Sequence, residues 1–295
     1  MMVQNDLEIE AKKSRRQIPL YMTGHQTRPA NVFVLDVDGV LTDPGSGAVN
    51  PEVIQAVAAD LKAGIPVAFN TGRSTEWLED RIFPLLGDLS PGEFGRLLAV
   101  CEKGAVVSSF PNGRLQTYVD RALTPPDDFR AWVKALLDQD QGGWKLSDSM
   151  FWDGTKLTML SIERRPSVAL QEYHEAQAVL DSLLERMIDK HKLTDFKVDA
   201  TVIATDVEHK LAGKHRGAEA VLRWLGHHDI HPQAFTAIGD SPSDAAMAET
   251  LAQAGPTTFV YVGNPDTYAP GLQAGFKIVI TGGGNAADTA KYLAA

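Results

Sequence analysis

Short, largely apolar runs recur near both ends of the chain, and each is closed by a polar or glycine-containing turn. They cover residues 32–35, 65–70, 97–101, 234–239, 258–262 and 276–280. A short apolar run with no alternation is typical of a strand that is buried on both faces of a parallel sheet. The pattern therefore predicts six strands of one such sheet.

Amphipathic helical stretches follow most of these runs, over residues 50–63, 75–86, 214–225, 244–253 and 285–294. The first opens with Asn50 and Pro51, a capping residue followed by one that suits the first helical position. Strands and helices in this alternation predict a right-handed, doubly wound α/β fold with a parallel sheet. Two further stretches, 105–109 and 115–119, are joined by a Pro-Asn-Gly turn and indicate a hairpin.

The pattern changes between residues 121 and 205. Helical stretches end near 139 and cover 166–191, and strand stretches lie at 156–163, 196–200 and 202–205. Helices and short strands in this arrangement predict an inserted α+β domain. We therefore predict a discontinuous core over 31–120 and 206–295, an insert over 121–205 and a loose N-terminal arm over 1–30.

Composition narrows the possible partners. The chain has 295 residues, enough for one large domain or two ordinary ones. Its net charge of −10, with no basic stripe, argues against a nucleic-acid partner. No apolar run reaches the roughly 18 residues of a membrane span, and the first 30 residues lack the apolar segment of a signal peptide. We expect a cytoplasmic protein with no membrane partner.

The single cysteine, Cys101, excludes an internal disulfide bond and a cysteine-rich zinc site. The histidines show no ligand spacing with cysteine or glutamate, so solvated side chains are the favoured interpretation. Any metal site in this chain must therefore be built mainly from carboxylates.

Polar residues that could carry chemistry follow the predicted strands or begin a helix. There are four such clusters: Asp36 with Asp38; Thr71; Lys214 or Lys210; and Gly239-Asp240-Ser241-Pro242-Ser243-Asp244. Ligands of parallel sheets bind just beyond the carboxyl ends of the strands. Two carboxylates one residue apart repel each other unless a cation lies between them or one is protonated, and hard oxygen ligands suit Mg²⁺. The sequence predicts a Mg²⁺ site beside a carboxylate that can act as a nucleophile.

In this order, the four clusters resemble the motifs of the haloacid dehalogenase-like superfamily of phosphohydrolases. Asp36-Val37-Asp38-Gly39-Val40-Leu41-Thr42 is similar to the first motif, Thr71 to the second, Lys214 to the third and residues 239–244 to the fourth. The resemblance covers residues 31–120 and 206–295. It implies a Rossmann-like core, Mg²⁺ as the cofactor and a phosphoric monoester hydrolase.

The resemblance also implies a role for each matched residue. Asp36 would attack phosphorus and form an aspartyl-phosphate, and Asp38 would act as the general acid and base. Thr71 and Gly72 would hold a phosphoryl oxygen. Arg73, which follows directly, either contacts the substrate or pairs with an acid.

The expected metal ligands are Asp36, the backbone carbonyl of Asp38, and Asp240. Asp244 lies four residues after Asp240, within reach of a metal-bound water or of Lys214. Lys214 would neutralise charge on the phosphoryl group and orient Asp36.

Two lysines compete for the third motif. Lys214 precedes Gly217-Ala218 and a helical apolar pattern, as the lysine of the family does, whereas Lys210 lies in a polar loop. We favour Lys214 over Lys210 for this reason.

The spacing of the motifs locates the insert. Thr71 and Lys214 are 143 residues apart, far more than one strand–helix unit needs. An insert at this place resembles the C2-capped branch of the superfamily, which includes Cof-like sugar phosphatases and sucrose-, trehalose- and mannosylglycerate-type phosphatases. Trp152, Asp153 and Lys156 lie in a turn-rich stretch where a sugar-facing loop could lie, although cap core and surface are the favoured interpretation.

The predicted function is a Mg²⁺-dependent phosphatase of small phosphorylated metabolites, with sugar phosphates as the expected class. Two alternatives stay open. A sugar phosphomutase would use the same nucleophile. A non-catalytic phosphosugar-binding protein, which we favour less, would bind the sugar phosphate without reacting with it. The sequence names neither the substrate nor the oligomeric state.

Overall fold

The computed structural model describes residues 29–140, 143–268 and 275–295, so residues 1–28 of the predicted arm lie outside the described residues. The strands are β1 Val32–Leu35, β2 Val67–Asn70, β3 Leu97–Cys101, β4 Val106–Ser109, β5 Gln116–Val119, β6 Met150–Trp152, β7 Leu160–Arg164, β8 Phe196–Ala200, β9 Ala204–His209, β10 Phe235–Gly239, β11 Thr257–Tyr261 and β12 Lys277–Ile280. The helices are α1 Pro51–Lys62, α2 Thr75–Arg81, α3 Pro91–Phe94, α4 Asp127–Leu136, α5 Leu146–Ser149, α6 Leu170–Lys190, α7 Lys214–His227, α8 Ala245–Leu251 and α9 Ala286–Leu293. None of these helices has the length and apolarity needed to cross a membrane.

The larger sheet has eight strands in the order β12-β11-β10-β1-β2-β3-β4-β5. The strands from β12 to β3 are parallel, and β4 and β5 add an antiparallel hairpin at one edge. The chain leaves β1 towards β2 on one side and returns as β10 on the other. The strand order therefore reverses between β1 and β10, which is where ligands bind in open sheets of this kind.

Helices on both faces explain why the parallel strands are apolar throughout. In β1, Val32 and Val34 pack into a core cluster with residues of α7 and α8. Phe33 and Leu35 point the other way and pack with residues of α1 and α9. At the end of β3, Cys101 is fully buried. The predicted doubly wound α/β fold is confirmed.

The smaller sheet is antiparallel, in the order β6-β7-β9-β8, and belongs to the insert. Leu160, Ile162 and Val207 extend from one face of this sheet into a core shared with α4 and α6. Side chains alternate along a strand, so the residues between them extend from the opposite face. An inserted α+β unit, as predicted from the change of pattern, is confirmed.

Elements of the insert differ in detail from the expectation. The strand predicted at 156–163 begins only at Leu160, and β6 lies in a stretch for which no strand is predicted. The strand predicted at 202–205 is β9, which stays paired with β8 as far as His209. The smaller sheet thus continues past the expected boundary at 205/206. The exact domain limits stay a prediction.

Candidate active site

Asp36 directly follows β1, at the point where the strand order reverses. Its backbone amide donates to the carbonyl of Ile238 at 3.0 Å and continues the pairing of β1 with β10. Gly39 lies in the turn that follows, at a φ of +70°. A β-carbon at Gly39 would be 2.0 Å from Oδ2 of Asp240. The glycine therefore lets this turn approach the acidic end of β10.

Three carboxylates meet at this edge of the sheet. One oxygen from each of Asp36, Asp240 and Asp244 lies within 4.8 Å of the other two. Asp36 and Asp244 are buried, and Asp240 is half-buried. The amide of Ser241 donates to Oδ2 of Asp244 at 3.0 Å, which fixes that side chain after β10. The first and fourth motifs are brought together as the sequence predicts.

Lys214 joins the same cluster from the first residue of α7. Its Nζ lies 2.6 Å from Oδ1 of Asp36 and 2.8 Å from Oδ1 of Asp244. It also donates to the carbonyl of Asn70 at 2.9 Å, and Nδ2 of Asn70 donates back to the carbonyl of Lys214 at 2.8 Å. Gly217 permits this approach, because a β-carbon there would be 1.9 Å from Oδ1 of Asn70.

The other candidate lysine lies elsewhere. Lys210 is exposed, and its amide donates to the carbonyl of Asp195 at 2.7 Å. Of the two lysines, Lys214 therefore has the contacts expected for the third motif.

Burial and the charges of neighbouring groups shift the pKa values of Asp36, Asp240 and Lys214. Burial raises the pKa of Asp36 to about 8, with Lys214 opposing the shift and Asp244 adding to it. Burial and the charge of Asp244 raise the pKa of Asp240 to about 6. Burial lowers the pKa of Lys214, but the charges of Asp36 and Asp244 outweigh that effect and raise it. Ionised, three carboxylates and one ammonium leave an excess of negative charge.

The donor set fits a hard divalent cation. Carboxylate oxygens are the ligands that Mg²⁺ prefers, and a divalent charge balances the excess that Lys214 leaves. Asp36, Asp240 and Asp244 would hold such an ion. The carboxylate of Asp38 is not in this group, and the predicted use of its backbone carbonyl as a ligand stays a prediction.

The side chain of Asp38 is bound by Arg73. Nε of Arg73 donates to both oxygens of Asp38 at 3.1 and 3.0 Å, and Nη2 donates to Oδ1 at 2.8 Å. The guanidinium also lies over the ring of Trp77, 5.0 Å from its centroid. Of the two roles open to Arg73, the structure shows the pairing with an acid.

The second motif forms a tight turn after β2, the strand beside β1. Thr71 is fully buried, and its Oγ1 accepts the amide of Arg73 at 3.0 Å. The carbonyl of Gly72 accepts a hydrogen bond from Nζ of Lys156, which comes from the insert. Lys156, predicted as core or surface, is buried against this turn.

No protein-family model matches the chain, and no curated protein matches its sequence. Solved structures match it over almost its whole length. A haloacid dehalogenase-like hydrolase from Bacteroides thetaiotaomicron has a TM-score of 0.59 at 14% identity, covering 91% of this chain and 99% of that one. A trehalose-6-phosphate phosphatase related protein has a TM-score of 0.53 at 16% identity, covering 89% and 95%. The sucrose-phosphatase of Synechocystis sp. PCC6803 has a TM-score of 0.51 at 14% identity, covering 91% and 99%.

The chain has the haloacid dehalogenase-like fold. In this fold the eight-stranded sheet is the core, and the insert with its antiparallel sheet is the cap. At these identities the likeness establishes the fold and not the reaction.

A buried glutamate of the haloacid dehalogenase-like core anchors the cap. Glu102, 1% exposed, accepts the amides of residues 157–159 at 2.7–3.1 Å and the hydroxyl of Thr158 at 2.7 Å. Beside it, the hydroxyl groups of Thr155 and Ser74 are hydrogen-bonded, with their oxygens 2.7 Å apart. These bonds hold residues 155–159 against the core loops, so the strand predicted there starts later.

Sequence reasoning missed Asn70 and Glu102. Asn70 gives a signal in hindsight, because it is a polar residue that ends an otherwise apolar run and lies next to Thr71. Glu102 gives none, because a glutamate after a strand is usually solvated. Its burial depends on a cap segment that is distant in sequence.

A cavity of about 380 Å³ opens beside the Asp38–Arg73 pair, between the core and the cap. The core contributes Ser46, Gly47, Arg73, Trp77, Asp80 and Arg81 to its lining, and the cap contributes Phe151, Asp153, Thr155 and Glu163. Asp153, a predicted cap candidate, lines the cavity. Trp152 does not line the cavity. Phe151, the residue before it in β6, faces the cavity, and successive residues of a strand point to opposite faces.

Proposed function

We propose that the protein is a Mg²⁺-dependent phosphatase that hydrolyses small phosphorylated metabolites through an aspartyl-phosphate on Asp36. The observation that carries the proposal is the cluster of Asp36, Asp240 and Asp244 around Lys214 at the switch point of the sheet. Structures with the same fold include proteins named as a sucrose-phosphatase, in complex with sucrose and phosphate, and as trehalose-6-phosphate phosphatase related. We therefore expect sugar phosphates as the substrate class.

The proposed reaction has two displacements at phosphorus. In the first, a carboxylate oxygen of Asp36 attacks phosphorus, the ester P–O bond breaks, and Asp38 gives its proton to the leaving oxygen. In the second, a water attacks the aspartyl-phosphate, Asp38 takes its proton, and inorganic phosphate leaves Asp36 free. Both oxygens of Asp38 accept bonds from Arg73 in the structure. This pair must open for Asp38 to donate a proton.

Other residues would position and neutralise the phosphoryl group. Thr71 and the amide of Gly72 would hold one phosphoryl oxygen, and Lys214 would offset negative charge on the group. Mg²⁺, held by Asp36, Asp240 and Asp244, would screen the repulsion between the phosphate dianion and these carboxylates. The cavity between core and cap would receive the leaving group.

Hydrolysis of an aryl phosphate tests the nucleophile and the metal. We expect Mg²⁺-dependent release of p-nitrophenol that is abolished by EDTA and restored by Mg²⁺. Asp36→Asn should lower the rate by at least about 1,000-fold, because an amide cannot form the acyl-phosphate. The exposed Asp88→Asn, the same chemical change outside the site, should leave it unchanged.

This assay, together with a binding measurement and a product screen, distinguishes the phosphatase from the mutase and from the non-catalytic protein. Turnover that survives Asp36→Asn would reject the assigned nucleophile. A protein that binds sugar phosphates without turning over any phosphate ester would be the non-catalytic alternative. A product screen that finds isomerised sugar phosphate in place of free phosphate would identify the mutase.

A further inference from the structure

The two sides of the cavity differ in charge. The core side carries two arginines, Arg73 and Arg81, and one acid, Asp80. The cap side carries two acids, Asp153 and Glu163, and no base among its lining residues. The cap side of the cavity lining is therefore negative, whereas the core side carries both signs.

Glu163 faces the core because of the register of the cap sheet. In β7, Leu160 and Ile162 pack into the cap core, and Glu163 alternates with them onto the opposite face. Antiparallel pairing places Phe151 beside it on that face, and Phe151 also lines the cavity.

Of the two cap carboxylates that line the cavity, Asp153 and Glu163, only Glu163 has no fixed partner among the described residues, and Asp206 of β9 shares this lack on the same face of the sheet. Asp199 and Glu208 both pair with Lys103 of the core, at 2.6 and 2.5 Å. Asp153 accepts the amide and the hydroxyl of Thr155, at 2.9 and 2.7 Å. Within the described part of the chain, the carboxylate of Glu163 has no hydrogen bond or ion pair. Its acceptor oxygens are free for a ligand.

The charges around Glu163 determine which leaving groups it would favour. Glu163 is close enough to feel the charges of both Asp153 and Arg73: burial and Asp153 raise its pKa, while Arg73 opposes the shift. A leaving group that donates hydrogen bonds would satisfy Glu163. An anionic leaving group would face the like charges of Glu163 and Asp153, with Asp206 adding to them and Lys156 of the cap offsetting them in part.

We propose that Glu163 is a specificity-determining residue of this site, which accepts the hydroxyl groups of an uncharged polyol leaving group and rejects leaving groups that carry a carboxylate or a second phosphate. The proposal rests on the proposed function. It also bears on the mutase alternative, because a mutase must hold a sugar bisphosphate and would need a basic cap.

Competitive inhibition of aryl phosphate hydrolysis tests the proposal whether or not the probes are turned over. The matched probes are sorbitol 6-phosphate, an uncharged sugar alcohol apart from its phosphate, and 6-phosphogluconate, which has the same open six-carbon chain with a carboxylate at C1. We expect wild type to bind sorbitol 6-phosphate at least about tenfold more tightly, as for like charges roughly 6 Å apart in a half-exposed site. Glu163→Gln should reduce this ratio to about two or less, mainly by tighter binding of the acid.

The control is Glu172→Gln, which makes the same change on α6, on the other side of the cap sheet. It should keep the wild-type ratio. A urea unfolding midpoint and a circular dichroism spectrum equal to those of wild type show that Glu163→Gln folds. Equal inhibition by the two probes in wild type, or a preference that Glu163→Gln leaves intact, overturns the specificity proposal while the phosphatase stands. Absence of Asp36-dependent turnover overturns the proposed function itself.

Discussion

Lys214 holds two buried carboxylates at once, and its position depends on residues around it that have no chemical role of their own. Its ammonium contacts Asp36 and Asp244, and Asn70 fixes it through two reciprocal hydrogen bonds. Without the lysine, the two carboxylates would be left buried beside each other with no cation between them. Such a cluster must take up protons or rearrange.

We therefore expect Lys214→Met to lower aryl phosphate turnover by about 100- to 1,000-fold and the free energy of unfolding by about 3 kcal/mol. Lys210→Met is the matched control, because Lys210 is exposed and should change neither quantity appreciably. Steady-state kinetics and urea unfolding measure the two effects. Wild-type activity in Lys214→Met, or an equal loss in Lys210→Met, would contradict the assignment.

At this scale the sequence predicted which charged residues would lie together, but not the residues that hold them in place. Lys214 could be chosen over Lys210 from its spacing to Gly217, because a small residue one turn on lets a helix approach a strand end. That Asn70 is the strand residue it approaches is a fact of the folded packing. A single sequence does not contain that pairing.

Among the elements, the short turn after β3 joins core and cap. Glu102, Lys103 and Gly104 all have positive φ values, of 47°, 54° and 95°, and non-glycine residues adopt this conformation only where the surroundings enforce it. Glu102 accepts bonds from one cap segment, while Lys103 pairs with Asp199 and Glu208 of the cap sheet. The turn thus holds two separate parts of the cap.

Removing the glutamate side chain should loosen this junction. We expect Glu102→Ala to lower the free energy of unfolding by about 2–4 kcal/mol, because it leaves the buried amides of Thr158 and Met159 and the part-buried amide of Leu157 without acceptors. Glu79→Ala, an exposed glutamate of α2, should change it by less than about 0.5 kcal/mol. Urea unfolding measures both. Equal stability of the two variants would show that the cap is held elsewhere.

The elements also show where prediction from the sequence ends. The core strands could be predicted because burial on both faces leaves short apolar runs, and turn residues on either side make these runs too short for helices. In the cap, β6 is only three residues long and carries no such pattern. Residues 156–159 alternate like a strand, but the amides of 157–159 donate to Glu102, so a tertiary contact overrides a local preference.

For the molecule as a whole, the acidic cluster links stability to pH and to metal. The pKa values of Asp36 and Asp240 are raised to about 8 and about 6. Between about pH 4 and pH 8 the folded protein therefore keeps protons that the unfolded chain has released, and stability falls as pH rises. The pKa of Asp288 is instead lowered to about 2, so its stabilising contribution builds up between about pH 2 and pH 4 and stays constant across this window.

We expect the metal-free protein to lose of order 1 kcal/mol per pH unit between about pH 6 and pH 8 from Asp36. Mg²⁺ needs deprotonated ligands, so it should stabilise the protein more at about pH 8 than at about pH 6. Thermal melting with and without excess MgCl₂ at the two pH values measures this. Asp240→Asn is the control and should lose most of the Mg²⁺ effect. Equal Mg²⁺ stabilisation at both pH values would argue against the site.

The overall architecture could be predicted because the distance between motifs reveals an insertion. The 143-residue separation of Thr71 and Lys214 exceeds what one strand–helix unit uses. How the cap docks could not be predicted, because that depends on contacts such as Lys156 with Gly72 and Thr155 with Ser74. The charge of the cavity follows from that docking.

The burial of Cys101 has a practical consequence. Burial raises the pKa of this sole thiol to about 12, and it lies at the end of a strand in the middle of the larger sheet. Alkylating reagents attack thiolates, so they should reach it only when the core opens. The protein thus carries a native chemical probe of its own breathing motions, with no engineered label required.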